Sequence, residues 1–426
     1  MRIVVFEDDA AYKFEPLTLT RGVFDLRLGL FSFADRVKHY MQVEQVDFLA
    51  RNHIAEHIRV KRRVRANEPE AIDDETVFVN GLLVFDRELR RIAQRIRPET
   101  VVLKDDRIVL ARFSEAVARE VARLLMNAPG SESVKTVIGK GFEKTEYVGD
   151  ALLTNPWEIV QRNPLQMIDD YETMPRLRLR IPPEATVIGR RRNVYVGRDT
   201  QVDPYVTLNS ERGPIYIGEA CEIRVGSFIE GPAYIGPGTI VHPSSIVSGS
   251  NIGPACRIGG EVESTVIHGY VDKRHAGFLG HAYVGEWVEL GALFTNSDRS
   301  MHGSVRVTAR GVGIDTGLTE FGGIIADYAK ASAGSLLYAG RRIGVASQVY
   351  GAVWEDVPSF VLYAKNYGLP ASEIEVDEVL RAARRTVALR EVEFTPADEQ
   401  LLRRVFELTR EERGALEPRR EPFRLD

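Results

Sequence analysis

The stretch IGEACEIRVGSFIEGPAYIGPGTIVHPSSIV, residues 217–247, decides the fold. Its aliphatic residues return at every sixth position: Ile217, Ile223, Ile229, Ile235, Val241 and Val247. Small residues follow four places later, among them Cys221, Ser227, Ala233, Thr239 and Ser245, and Gly218 and Gly236 come one place later. A period of six is neither that of an amphipathic helix nor a heptad, and fixed-period self-similarity is the sequence mark of a solenoid. Each hexad supplies a short strand whose aliphatic side chain turns inward, with a small residue near the corner and a glycine where the turn requires one. Three hexads close one coil of a parallel β-helix.

Outward from this stretch, the same period returns in Val196, Val202 and Leu208, in Phe278, Val284 and Leu290, and in Ile325, Ala331, Leu337, Ile343 and Val349. The expected solenoid therefore runs from Glu184 to Val357. Its phase breaks carry more information than its regular coils, because a loop thrown out of a rigid scaffold is where a site can be built. The largest breaks lie between Ile258 and Phe278 and between Leu290 and Ile325. Five of the eight histidines, His242, His268, His275, His281 and His302, fall within or beside the segment they bracket. A formal charge of −5 argues against a nucleic-acid footprint. No apolar run is long enough for a membrane span, and the opening MRIVVF leads straight into Glu7, Asp8 and Asp9 instead of a signal-peptide core. A cytoplasmic chain with no membrane partner is expected. Cys221 and Cys256 both occupy the small-residue position of a hexad and read as core fillers.

Ahead of the solenoid, apolar runs at Ile3–Phe6, Val46–Ala50, Val77–Val79 and Val101–Leu103 predict strands, and Phe24–Met41, Arg87–Arg97 and Phe113–Asn127 predict helices. Such alternation points to a mainly parallel α/β sheet with ligands at the carboxyl ends of its strands, hence near Glu7–Gly29. The expected organisation is an α/β domain at 1–150, a linker at 151–183, the β-helix at 184–357 and a helical extension at 358–426. In the linker, Trp157–Asp170 reads as a helix, and Leu177 and Leu179 alternate with Arg176, Arg178 and Arg180 like a surface strand. In the extension, Glu373–Val392 and Thr395–Arg413 read as helices, the second opened by Thr395 and Pro396.

The residues Phe6-Glu7-Asp8-Asp9, Pro16-Leu17-Thr18-Leu19-Thr20-Arg21, Asp25-Leu26-Arg27-Leu28-Gly29, Val79-Asn80-Gly81 and Asn155-Pro156-Trp157-Glu158, with Asn163 and Asp169-Asp170, resemble the sugar nucleotidyltransferase family fused to hexapeptide repeats. That family is similar to the bifunctional enzymes that acetylate glucosamine 1-phosphate and then uridylylate the product. The resemblance implies a left-handed β-helix, a homotrimer with sites between subunits, a sugar phosphate or sugar nucleotide as substrate, and acetyl-CoA as acyl donor. It also implies Mg²⁺ for nucleotidyl transfer. The chain departs from the bifunctional pattern after its first strand, where the Gly-rich phosphate loop is missing and no carboxylate stands beside Asn80-Gly81. Asp8, Arg21, Asp25, Arg27 and Asn80 are the candidate nucleotide-binding residues. Arg21 and Arg27 fit either phosphate oxygens or structural ion pairs, so binding without turnover is an open reading of this domain.

Lys273-Arg274-His275, followed by Phe278-Leu279-Gly280, Val284-Gly285 and Leu290-Gly291-Ala292, resembles the acetyltransferase active-site run of the same enzymes. His275 falls on their catalytic base, a role imidazole suits because an acceptor attacking a thioester must lose a proton near neutral pH. The alternative is a packing histidine. Lys273, Phe278, Glu289, Asn296 and Arg299 are the candidate acceptor-binding residues. Ala292, Ala346, Ser347 and Lys365 are the candidates for coenzyme A, with Ala292 near the oxyanion. The lysine that holds the sugar phosphate in the relatives falls on Glu263, and the asparagine beside the sugar on Glu289. A carboxylate repels phosphate, so the acceptor is a different sugar or carries its charge elsewhere, where Lys273, Arg274 and Arg299 are the nearby cations. A reading from another class is a sugar-nucleotide or coenzyme A binding protein without chemistry.

Overall fold

The computed structural model describes residues 1–127, 137, 142–174, 181, 183–309 and 312–416. Packing divides the chain into two units. Met1–Arg27, Phe31–Glu158 and Pro396–Arg404 belong to the first, and Leu28–Leu30, Ile159–Thr395 and the residues from Val405 on belong to the second. The expected surface strand of the linker lies outside the described residues. Among the described residues, no helix is long and apolar enough to cross a membrane.

The first unit is built on a six-stranded sheet in the order Asp47–Leu49, Arg2–Phe6, Thr76–Asn80, Arg107–Arg112, Thr100–Lys104 and Glu143–Glu146. The first three strands are parallel, but Arg107–Arg112 runs antiparallel to both of its neighbours, so the sheet is mixed. This strand was hidden between Val101–Leu103 and the helix Glu115–Asn127. What creates it is the hairpin turn Asp105-Asp106, where both residues take positive φ (49° and 61°), the conformation that short hairpin loops need. Val4, Phe6, Phe78, Val101, Ala111, Phe113 and Val121 form a core between the sheet and that helix.

The expected helix Phe24–Met41 is shorter than its apolar pattern suggested. A 3-10 turn at Val23–Asp25 and the strand pair Arg27–Leu28 and Phe31–Ser32 come first, and only Phe33–Met41 is α-helical. Ser32 caps that helix by accepting the Asp35 amide at 3.1 Å. The break centres on Gly29, which sits at φ +64°, and a Cβ there would lie 2.2 Å from Asp170 Oδ2. Asn163 Oδ1 accepts the Gly29 amide at 3.0 Å and Asp170 Oδ2 accepts the Leu30 amide at 2.8 Å. Both acceptors are completely buried on the helix Pro156–Thr173. These two residues of the family resemblance thus serve as a backbone clamp.

The second unit contains the parallel β-helix, whose strands run from Thr186 to Tyr363 and stack in three walls. In one wall the inward column reads Val196, Ile217, Ile235, Ile252, Ile267, Val284, Ile325 and Ile343. In the second it begins Val202, Ile223, Val241 and Ile258, and then reaches Lys273. In the third it reads Val187, Leu208, Ile229, Val247, Val262 and Leu279. Across the insertion a short sheet pairs Asn296 with Leu337 and Leu337 with Val353. Period-six aliphatics fill the prism with a continuous apolar core, and neither cysteine is exposed.

Two expectations about the phase breaks change here. The interval from Ile258 to Phe278 is no ejected loop: the coil simply continues with Lys273 in the inward place of an aliphatic residue. Phe278 is not the inward residue of its strand, since Leu279 pairs with Val262 and is fully buried. A one-residue shift in a strand reverses its faces, which turns the Phe278 side chain outward. The break after Leu290 is a real insertion and carries the antiparallel hairpin Arg306–Ala309 with Val312–Asp315. After the coils come the helices Val376–Ala388, Pro396–Leu408 and Arg410–Gly414.

Candidate functional site

The second unit gathers its chemistry around the corner at His275. The strand Asp272–Lys273 ends there, and His275 occupies the turn before Phe278–Gly280 with its side chain exposed. Beneath the turn, Lys273 is 1% exposed. Its ammonium donates to the carbonyls of Gly259 at 2.6 Å, Gly277 at 2.8 Å and His275 at 3.4 Å. Burial pushes its pKa down to about 8. The lysine therefore acts within the prism, where a cation satisfies one carbonyl of the preceding coil and two of the turn that bears the exposed histidine.

The next coil repeats this device with a neutral group. Asn296 is 2% exposed; its Oδ1 accepts the Gly280 amide at 2.8 Å and its Nδ2 donates to the Gly280 carbonyl at 2.8 Å. Phe278 donates its amide to Thr295 Oγ1 at 3.3 Å. Glu289 bonds Lys330 at 2.9 Å and Thr386 Oγ1 at 3.1 Å. Arg299 is largely exposed and pairs with Glu320. At the base of the inserted hairpin, His281 Nδ1 lies 2.9 Å from Asp298 Oδ2, and its Nε2 lies 3.3 Å from Glu320 Oε2. The structure thus brings His275, Lys273 and Phe278 to one turn, while Glu289 and Arg299 are held by other partners.

The coenzyme candidates fall in two settings. Ser347 is wholly buried, and its hydroxyl accepts the Val361 amide at 3.2 Å, so it works inside the prism. Ala346 turns the neighbouring corner at φ +56°. Ala292 accepts the Gly334 amide through its carbonyl at 2.7 Å. Lys365 pairs with Glu355 at 2.7 Å and lies 5.8 Å from the centre of the Tyr363 ring.

In the first unit, the strand ends near Glu7 hold two networks. Glu7 is 1% exposed and accepts the Val23 amide at 3.0 Å, the Arg51 amide at 2.9 Å and Arg51 Nε at 3.1 Å. Arg51 also donates to the Thr18 carbonyl at 2.6 Å, which fastens the segment between Pro16 and Val23 to the sheet. Asp8 accepts from Arg107 Nε at 2.7 Å, from Asn80 Nδ2 at 2.9 Å and from the Ala10 amide at 3.1 Å. Arg107 donates further to the Leu153 carbonyl and Thr154 Oγ1. Asp25 pairs with Arg62, Arg21 is buried, and Arg27 is half-buried. Asp8 and Asn80 meet; Asp25 is engaged elsewhere. Sequence reading missed Arg51 and Arg107, and the only signal for Arg107 was its place after the Asp105-Asp106 turn. Both oxygens of Asp8 accept N–H groups, Oδ1 from Ala10 and Oδ2 from Arg107 and Asn80, and a Mg²⁺ ion held by one or two carboxylates together with substrate phosphates would compete with those donors here.

No curated protein matches the sequence. Solved structures similar to it include the UDP-N-acetylglucosamine acyltransferase of Arabidopsis, at 16% identity over 56% of this chain and 92% of that one with a TM-score of 0.31. Another is the UDP-N-acetylglucosamine acyltransferase of Campylobacter jejuni, at 12% identity over 54% of this chain and 96% of that one with a TM-score of 0.25. Residues 3–178, which include all but Arg2 of the six-stranded sheet, match the family model described as sugar nucleotidyl transferase.

Proposed function

We propose that this chain serves sugar-nucleotide biosynthesis, with the β-helix transferring an acetyl group from acetyl-CoA to a sugar phosphate or sugar nucleotide and His275 as the general base. The observation that carries the reading is the His275 turn: an exposed imidazole on a corner whose carbonyls are tied to a buried ammonium. The acceptor's hydroxyl or amine attacks the thioester carbonyl and its proton passes to His275. The C–S bond then breaks, and the thiolate leaves with that proton as free coenzyme A. A backbone N–H at the corner near Ala292 would steady the oxyanion. Tying the carbonyls of His275 and Gly277 to the ammonium fixes the backbone that carries the base and so sets where the imidazole can reach. The experiment is thiol release from acetyl-CoA over a panel of amino and hydroxy sugar phosphates, with His275→Ala beside the native chain. Undiminished release in the variant refutes the role.

For the first unit the reading is binding of a sugar 1-phosphate or sugar nucleotide, supported by the family match over residues 3–178. A second reading, binding without turnover, is favoured by the commitment of Asp8 to Arg107 and Asn80. Pyrophosphate release from nucleoside triphosphates and sugar 1-phosphates separates the two, since sustained release excludes binding alone. A cytoplasmic homotrimer completes the proposal, and a monomer in light scattering contradicts it.

A further inference from the structure

Beside His275, the outer face of the second wall carries an imbalance of charge. The strands Ile240–Val241, Arg257–Ile258 and Asp272–Lys273 pair in register, which places Arg257 next to Asp272 on the outside while Ile258 and Lys273 point in. Past the inward residue, the Gly259 amide bonds the Lys273 carbonyl and the His242 amide bonds the Ile258 carbonyl, so His242, Gly259 and Arg274 form the next column. Gly259 is required there, since a Cβ would lie 2.0 Å from the Arg274 carbonyl oxygen, so the column carries no side chain between His242 and Arg274.

Three guanidinium groups meet in this place over one carboxylate. Arg274 Nε donates to Asp272 Oδ1 at 2.8 Å, and Arg390 Nη2 lies 3.6 Å from Asp272 Oδ2. Arg390 arrives just beyond the helix Val376–Ala388, which is tied to the same wall through Thr386 and Glu289. Arg257 stands close enough that its charge, after burial, pushes the pKa of Arg390 down. The neighbouring Glu289 is already paired with Lys330. Among the described residues, Arg257 Nε and His242 Nε2 are buried with no hydrogen-bond partner. Buried polar atoms are rarely left unpaired, so an orphaned guanidinium nitrogen amid surplus positive charge calls for an anion.

We propose that Arg257, Arg274 and Arg390 form a phosphate site beside His275, with His242 at its edge, and that it holds the phosphate monoester or diphosphate of the acyl acceptor. The assignment to the acceptor rests on the acyl-transfer reading; the phosphate site itself does not. Planar guanidinium forks match phosphate oxygens in pairs, as a single ammonium does not. The location also answers the carboxylate at Glu263: that residue lies on the third wall, whereas the three arginines supply the positive charge on the second.

The test is calorimetric titration of the full chain with inorganic pyrophosphate, UDP, coenzyme A and 3′-dephospho-coenzyme A. It compares the native protein with Arg257→Gln and Arg390→Gln, and uses Arg198→Gln, whose exposed side chain pairs with Glu219, as the control for the loss of one positive charge. Arg257→Gln is the informative variant, because none of the side-chain bonds described above depends on Arg257; an unchanged melting temperature confirms that the fold survives. The expected result is a loss of at least ten-fold in affinity for pyrophosphate and UDP in both variants but not in the control, with coenzyme A unaffected. If only coenzyme A weakens, and 3′-dephospho-coenzyme A does not, the acceptor assignment is overturned in favour of the cofactor. Should the native protein bind no probe, or should neither variant weaken any of them, the phosphate site is overturned. Thiol release by the native chain is measured separately, so failure of the acyl-transfer reading is distinguishable from failure of the site.

Discussion

Replacing Lys273 by methionine changes how the second unit responds to pH. Burial lowers the pKa of this lysine from 10.5 to about 8, although Glu261 acts in the opposite direction. A base whose pKa is lower in the folded state binds more protons when unfolded, between about pH 8 and pH 10.5. Stability therefore rises with pH across that window, and below pH 8 the cost of the buried charge is present in full. At about 1.4 kcal/mol per pKa unit, the gain over the window is roughly 3 kcal/mol. Lys273→Met removes the titrating group and with it the gain. The substitution also strands the carbonyls of Gly259 and Gly277, at about 1–3 kcal/mol each, so the sign of its effect at any one pH depends on two opposed terms. The change in the difference between the proteins is free of that ambiguity, because all other groups titrate alike in both. Melting curves at pH 7 and pH 10.5 should show the native protein gaining on the variant by about 3 kcal/mol, on the order of 5–10 °C for a unit of this size. Parallel pH dependence in the two proteins would refute the claim that Lys273 is a desolvated cation inside the prism.

The other predictions are local. His275→Ala should lower thiol release by a factor on the order of 10² or more with no change in melting temperature, since its side chain is exposed. Asn296→Leu should destabilise the second unit by roughly 2 kcal/mol, because it leaves both backbone groups of Gly280 without their partner; denaturant unfolding followed at Trp287 measures this. Gly29→Ala meets Asp170 at 2.2 Å and is strained at φ +64°, so it should cost more than about 1 kcal/mol, while Gly303→Ala, equally strained at φ +78° but touching nothing within 4 Å, should cost less than Gly29→Ala.

How much of this was legible in advance follows from what each signal depends on. Period-six aliphatics report the inward columns directly, because only side chains facing the prism are held to one chemistry; hence the β-helix was readable from Ile217 to Val247 and again from Ile325 to Val349. The same logic failed at Lys273 and Asn296. A polar residue in an inward place looks like a gap in the pattern, so a continuous coil was read as a broken one and Phe278 was given the place of Leu279. In the first unit, the strand Arg107–Arg112 escaped notice because a two-residue turn carries little sequence signal, and the mixed sheet followed from it.

His275 was legible as a candidate because its neighbours resemble a known run of residues. The partners that define its surroundings were not. Sequence alone determined the repeat, the solenoid class, the α/β character of the first unit and the candidate base, since these rest on local periodicity and on contiguous motifs. Tertiary structure decided that Lys273 supports the turn from inside, that Asp8 is spent on Arg107 and Asn80, and that Arg257, Arg274 and Arg390 converge on Asp272. Those arrangements join residues from successive coils, from a hairpin strand and from the turn after a helix beyond the repeats. Coil stacking and chain reversal create such proximity in space, and no spacing along the chain records it.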